Sequence, residues 1–285
     1  MLATVKARKN VRRVMRLVLA YLLLVPLALI FVTPLLWLIS TALKDDAQMG
    51  AWPPVLFPSP LRWDHFYTAW TAGNFGLYLR NTVLITVLAS VGQVGTSSLV
   101  AFGFARLRFP GRDALFAILL ATLMLPGVVT LIPTFVLFKQ LGWLNSFKPL
   151  IVPAYFGGGP FFIFLLRQFY KTLPQELAEA AHIDGASNYR IYWQVMLPLI
   201  KPALSTVAIW AFMGSWNDFM APLIYLSSPE KFTLTLGLRL FMTNTQTRFQ
   251  EMMAMALLMT LPVIVVFFAF QQYFIQGVVM SGIKA

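Results

Sequence analysis

From Leu17 to Leu43 the chain runs for 27 residues without a charged side chain. A helix needs about 20 apolar residues to cross a hydrocarbon layer, and in lipid the backbone must satisfy its own N–H and C=O groups. Five further stretches meet or approach that length, at roughly 82–105, 114–138, 150–166, 203–226 and 252–270. With 59% hydrophobic residues against 11% charged, there are too few charges to solvate a globule of 285 residues. The pattern predicts an all-α membrane protein with six transmembrane helices. A β-barrel would show alternating strands of about ten residues, whereas these runs are continuous. Pro26, Pro34, Pro126, Pro133 and Pro262 fall inside the spans and predict kinks.

Lys6, Arg8, Lys9, Arg12, Arg13 and Arg16 precede the first run, as in a signal peptide. The run is longer than a secretory apolar region and lacks a small-x-small cleavage site, so it reads as a retained crossing. With an inside N-terminus, 14 Lys and Arg fall on the cytoplasmic side and 8 on the other. That bias predicts both termini in the cytoplasm of a multi-pass plasma or inner-membrane protein. A net charge of +12 would suggest nucleic acid in a soluble chain, but these basic residues flank apolar spans and read as membrane anchors. Zero cysteines exclude disulfides and thiolate chemistry, and His65 and His182, far apart, do not suggest a metal centre.

Between Leu43 and Leu79 lie Pro53, Pro54, Pro58 and Pro60 with six aromatics from Trp52 to Trp70. They predict an ordered external segment on the membrane surface, with Lys44, Asp45 and Asp46 as a solvated turn. Gly157-Gly158-Gly159-Pro160 lacks the Lys-Ser/Thr of a phosphate loop and reads as a bend. Residues 1–80 thus comprise tail, first crossing and external segment; 81–285 form a core of five crossings with a cytoplasmic loop at 170–200.

That loop carries the chemistry. Thr172-Leu173-Pro174-Gln175 has the form of a capping box with Thr172 as N-cap, opening a helix that runs to about Ile183. Gly185 breaks it, by a positive φ or a close approach, and Ser187 caps a second helix over Asn188–Met196 whose apolar face pairs Ile191 with Val195. Taken alone, this is an amphipathic connection between two crossings. Glu179-Ala180-Ala181, three residues, Gly185, nine residues, then Val195-Met196-Leu197-Pro198 resembles the coupling loop of permease subunits in ATP-binding-cassette importers, with Val195 in place of the usual Ile. The resemblance implies a hairpin that fits a groove on a separate ATPase through Glu179, Ala180, Ala181, Asp184, Gly185, Val195, Leu197 and Pro198. The chain has no phosphate loop or catalytic site, so ATP and Mg would sit on the partners, with no cofactor bound directly.

Ser215-Trp216-Asn217-Asp218-Phe219, and the tail Gln272 to Gly277 through Gly282-Ile283-Lys284-Ala285, resemble sugar-importer permeases of the maltose and glycerol-phosphate type. That implies the importer permease fold, with a second homologous permease, two ATPase subunits, an extracytoplasmic sugar-binding protein and membrane lipid as partners, and a di- or oligosaccharide or a polyol phosphate as cargo. Asp218, an acid inside the fifth predicted span, reads either as an ion pair with Arg80 or, with Trp216 and Asn217, as a polar wall along the sugar's path. Asn81 and Gln93 could line the same path or bind neighbouring helices. The rival readings are a permease for a non-sugar solute and an ion-coupled secondary transporter, which would need more buried carboxylates and visible repeats.

Overall fold

The computed structural model describes residues 2–242 and 248–282, with side chains from 14 to 242 and from 248 to 270. It is all-helical. The chain divides into two compact units, Met1–Thr71 with Phe241–Leu258, and Ala72–Leu240 with Met259–Ala285.

In the first unit, α1 (Leu2–Ala42) is one helix that keeps Pro26 and Pro34 inside it. A proline removes a backbone donor and clashes with the preceding turn, yet the helix carries through both positions. Past Ala42 the chain folds back on the helix end. Ser40 Oγ donates to Leu56 O at 2.7 Å, Arg62 N to Leu43 O at 3.1 Å, and Gln48 Nε2 to Ser59 O at 2.6 Å. His65 Nδ1 lies 3.0 Å from Ala42 O, and Gln250 Nε2 donates to Asp46 Oδ1 at 2.7 Å. Arg62 forks between Asp45 at 3.3 Å and Asp64 at 2.7 Å. The expected solvated turn at Lys44–Asp46 is instead a joint. Lys44 is 3% exposed with its ammonium 4.1 Å from the Trp37 ring centre, and Asp45 caps the short helix Asp46–Met49. Local composition cannot reveal this, because Trp37 and Arg62 supply the partners.

In the second unit, α2 (Phe75–Arg106) is the central element. It is followed by α3 (Arg112–Thr122) and α4 (Gly127–Gln140), which meet at 98°. The single crossing expected over 114–138 is therefore broken. Pro126, extended at φ −62°, ψ 134°, stands as N-cap of α4, where a proline's missing donor breaks no helical bond. Short turns at Lys148–Ile151 and Val152–Tyr155 lead to α5 (Pro160–Thr172). Gly157 and Gly158 hold φ +95° and +64°, so the glycine run is a bend as expected. It is also a tight contact: a Cβ on Gly158 would lie 2.0 Å from Ser97 Oγ and 2.8 Å from Ser97 N. Likewise a Cβ on Gly92 would strike the Tyr155 ring at 2.6 Å, while Tyr155 OH donates to Leu88 O at 2.9 Å. Gly92 and Ser97 on α2 thus admit the Tyr155 ring and the Gly158 backbone, the close approach by which helices associate where lipid offers no hydrophobic gradient.

The hairpin begins with α6 (Glu176–Ile183), and beyond it α7 (Lys201–Trp216) and α8 (Met220–Tyr225) occupy the fifth expected span. That span is interrupted at Asn217–Phe219, and an 83° bend separates Asn188–Leu199 from α7. The last helix, α9 (Phe249–Gly282), contains Pro262. Among the described residues four helical segments are long and apolar enough to cross a membrane, and six if each bent pair counts as one.

Opposite the hairpin along the chain, Asn145 ties two loops together from a left-handed backbone at φ +53°. Its N–H donates to Tyr225 O at 2.7 Å, and its Oδ1 accepts from Ser227 N at 3.2 Å and Ser228 N at 3.0 Å. Its Nδ2 donates to Ser228 Oγ at 2.7 Å, and Lys231 Nζ donates to its carbonyl.

Candidate functional site

The hairpin is built by two backbone stops. At the end of α6, Gly185 N donates to His182 O at 3.0 Å and Ala186 N to Ala181 O at 2.9 Å, with Gly185 at φ +77°. This is a Schellman motif, in which the residue after the C-cap must be left-handed and the next N–H reaches back five residues. The three residues between Ala181 and Gly185 are therefore the spacing of a helix terminus, and Ala186 packs with Ala181 beside the core. No heavy atom lies within 4 Å of a Cβ on Gly185, so φ alone requires glycine.

The start differs from expectation. Thr172 is the last residue of α5, and its Oγ1 donates to Phe169 O at 2.8 Å instead of capping. Leu173 is extended, as a residue before proline must be, and Gln175 occupies the N-cap of α6 without a side-chain cap bond. Gln175 Nε2 reaches forward to Glu179 Oε1 at 2.9 Å. Arg106, at the end of α2, donates to the carbonyls of Tyr170 and Leu173, satisfying the C-terminus of α5 where the hairpin departs.

In the second limb Ser187 caps as expected, accepting from Arg190 N at 3.3 Å. From Ile191 to Met196, however, the turn widens to a π-helix. The expected pairing of Ile191 with Val195 shifts. Ile191, Tyr192 and Met196 are buried, and Val195 only half-buried, because a π-turn aligns i with i+5. Leu197 is half-buried and Pro198 exposed at the start of the next turn.

Between hairpin and α2 lies a cleft of about 470 Å³ whose polar lining includes Arg106, Arg108, Arg112, Gln175, Glu179 and His182. The outer surface is unexpectedly apolar for a loop. Ile183 is 86% exposed, Tyr189 68% and Trp193 50%, with Ala180 and Asp184 exposed beside them. Exposed apolar area rimmed by charges marks a surface that meets a protein or a membrane.

The polar residues of the fifth span do not gather into one wall. Trp216 is 3% exposed, stacks on Phe212 and donates from Nε1 to Met259 O at 3.1 Å. Asn81 is buried and donates from Nδ2 to the carbonyls of Glu230 at 2.9 Å and Phe232 at 3.0 Å. Both side chains are thus committed to packing within this subunit. Asn217 is exposed and donates to Met213 O at 2.9 Å, while half-buried Gln93 abuts Gly159. Asp218 lies in the break between α7 and α8. Its Oδ1 accepts from Ala221 N at 3.2 Å and its carbonyl from Thr235 Oγ1 at 2.6 Å; among the described residues no ion pair joins it to Arg80. The tail motif lies outside the residues whose side chains are described.

A model of the family described as "Binding-protein-dependent transport system inner membrane component" matches residues 93–280. The arabinooligosaccharides transport system permease protein AraQ of Halalkalibacterium halodurans is 34% identical over 90% of this chain and 93% of its own length. The diacetylchitobiose uptake system permease protein NgcG of Streptomyces coelicolor is 31% identical over 92% and 87%. The sn-glycerol-3-phosphate transport system permease protein UgpE of Yersinia pestis is 33% identical over 92% and 95%. In fold the chain is similar to a chain in the crystal structure of a bacterial ABC transporter that imports the acidic polysaccharide alginate, with a TM-score of 0.77 at 24% identity over 92% of this chain and 97% of that one.

Proposed function

The chain belongs to the family of binding-protein-dependent transport system inner membrane components, and from that premise we propose that it forms one half of a sugar-conducting pore driven by ATPases. It is a permease subunit with no catalytic domain of its own. The relatives' names cover oligosaccharides and glycerol 3-phosphate, which supports a polyhydroxylated cargo. The complementary half would be a second homologous permease, with two ATPase subunits holding ATP and Mg and an extracytoplasmic binding protein delivering the cargo. Both termini and the hairpin would lie in the cytoplasm, in keeping with the Lys and Arg bias.

The observation that carries the coupling role is the Schellman-closed hairpin with its exposed tip. A lever transmits motion only if it is stiff. Here Glu179, Ala180, Ala181, Asp184 and Gly185 form a terminus fixed by two backbone bonds, while Val195, Leu197 and Pro198 feed the second limb into the spans. Asn217, Asp218 and Gln93, the less committed of the polar residues, are the ones we assign to the sugar's path. For Asn81 and Trp216 the assignment would require their packing bonds to open during the cycle.

The test is co-purification followed by reconstitution. Subunits isolated with this chain are placed in liposomes, and ATP hydrolysis is measured with binding proteins loaded with arabinotriose, diacetylchitobiose, an alginate trisaccharide or glycerol 3-phosphate. Stimulation by one loaded protein, with uptake of its cargo, is expected. Uptake that persists without nucleotide would overturn the assignment.

A further inference from the structure

At the root of the hairpin, three buried hydroxyls meet. Ser98 Oγ, on α2, lies 3.0 Å from Tyr170 OH on α5 and accepts from Tyr192 OH at 3.2 Å, the latter on the π-helical limb. The three residues are 1%, 0% and 3% exposed. Phe102, one turn along α2 from Ser98, sits against both tyrosines, with ring centres 5.7 Å from Tyr170 and 5.3 Å from Tyr192. The π-turn carries Tyr192 inward together with Ile191 and Met196. Such turns, costly in regular helices, concentrate where function fixes a side chain.

We infer that Tyr192 is a positioning residue for energy coupling, tying the hairpin's second limb through Ser98 to both α2 and α5, an inference that rests on the coupling role proposed above. The chemistry is a shared oxygen. Tyr192 donates its proton to Ser98, and Ser98 and Tyr170 share one hydrogen bond in either direction, so the serine joins the limb to α5. All three side chains are buried, so separation of limb and span would cost the hydroxyls their partners. The limb and the two helices therefore move together. The hairpin's first limb is held by backbone at Ala181–Ala186, and its departure from α5 by Arg106. The hydroxyl cluster completes the connection at the second limb.

The experiment uses the full importer in liposomes with whichever loaded binding protein of the panel stimulates the wild type. Tyr192→Phe removes one hydroxyl and keeps the ring; Ser98→Ala removes the shared oxygen and is the second variant if the first does not assemble. The expected result is a fall of about fivefold or more in cargo moved per ATP hydrolysed, with Tm of the assembly within about 4 °C of wild type. The double variant should be no worse than the worse single one, because the two groups act as a unit. Unchanged cargo per ATP in both singles, or a loss that only follows a falling Tm, overturns the inference. A wild type that shows no nucleotide dependence strikes the coupling role itself.

Discussion

Two glycines with positive φ separate geometry from space. Gly158 at φ +64° is pressed against Ser97, whereas Gly185 at φ +77° faces open surroundings. Gly158→Ala adds both backbone strain and a collision with a neighbouring backbone, and should cost about 2–4 kcal/mol, read as a lowered Tm of the purified chain with its partners. Gly185→Ala carries the backbone term alone, about 1–2 kcal/mol. Asparagine tolerates the left-handed region, so Gly185→Asn should retain most cargo uptake, while Gly185→Val should abolish it and leave membrane insertion intact. Equal uptake by the asparagine and valine variants would show that φ is not what the position selects. Gly185 and Ser187 are legible in sequence because their partners lie within five residues. Asn145 and Ser98 are not legible, because their partners stand 83 and 94 residues away.

At the scale of elements, the number and placement of apolar spans follow from composition, but their continuity does not. The break at Pro126 exceeds the kink a proline within a span suggests, and the fifth span breaks at Asn217–Phe219 without any proline there. The pairing of Ile191 with Val195 fails for the same reason: its register answers to tertiary partners. The external segment offers a pH test. Arg62 hydrogen-bonds Asp64 and holds its carboxyl at about 2, below the ordinary carboxylate. A depressed pKa stabilises above the unfolded value of about 3.9, and the contribution is lost as pH falls through about 2. A nitroxide at Phe57→Cys should thus keep constant mobility from pH 7 to about 4.5 and gain mobility between about 4 and 2. In Arg62→Gln the label should be mobile already at neutral pH. A label equally constrained in both variants at every pH would rule the clip out as the segment's fastener.

For the molecule as a whole, the charge bias predicts a direction that packing does not. A chain without cysteine allows a clean check. Ile183→Cys and Glu230→Cys, on either side of the span containing α7, should react with an impermeant maleimide from opposite faces of sealed vesicles, the former only from the cytoplasmic side. Labelling of both from one face would refute the topology.

Asn145 carries a consequence for how such a subunit can open. Because one amide side chain and its backbone engage Tyr225, Ser227, Ser228 and Lys231, the two loops share a single set of fastenings and lose independent hinges. If the proposed pore opens at that end, its gating would be a one-parameter swing, and a cargo-bearing partner pressing on either loop would push both.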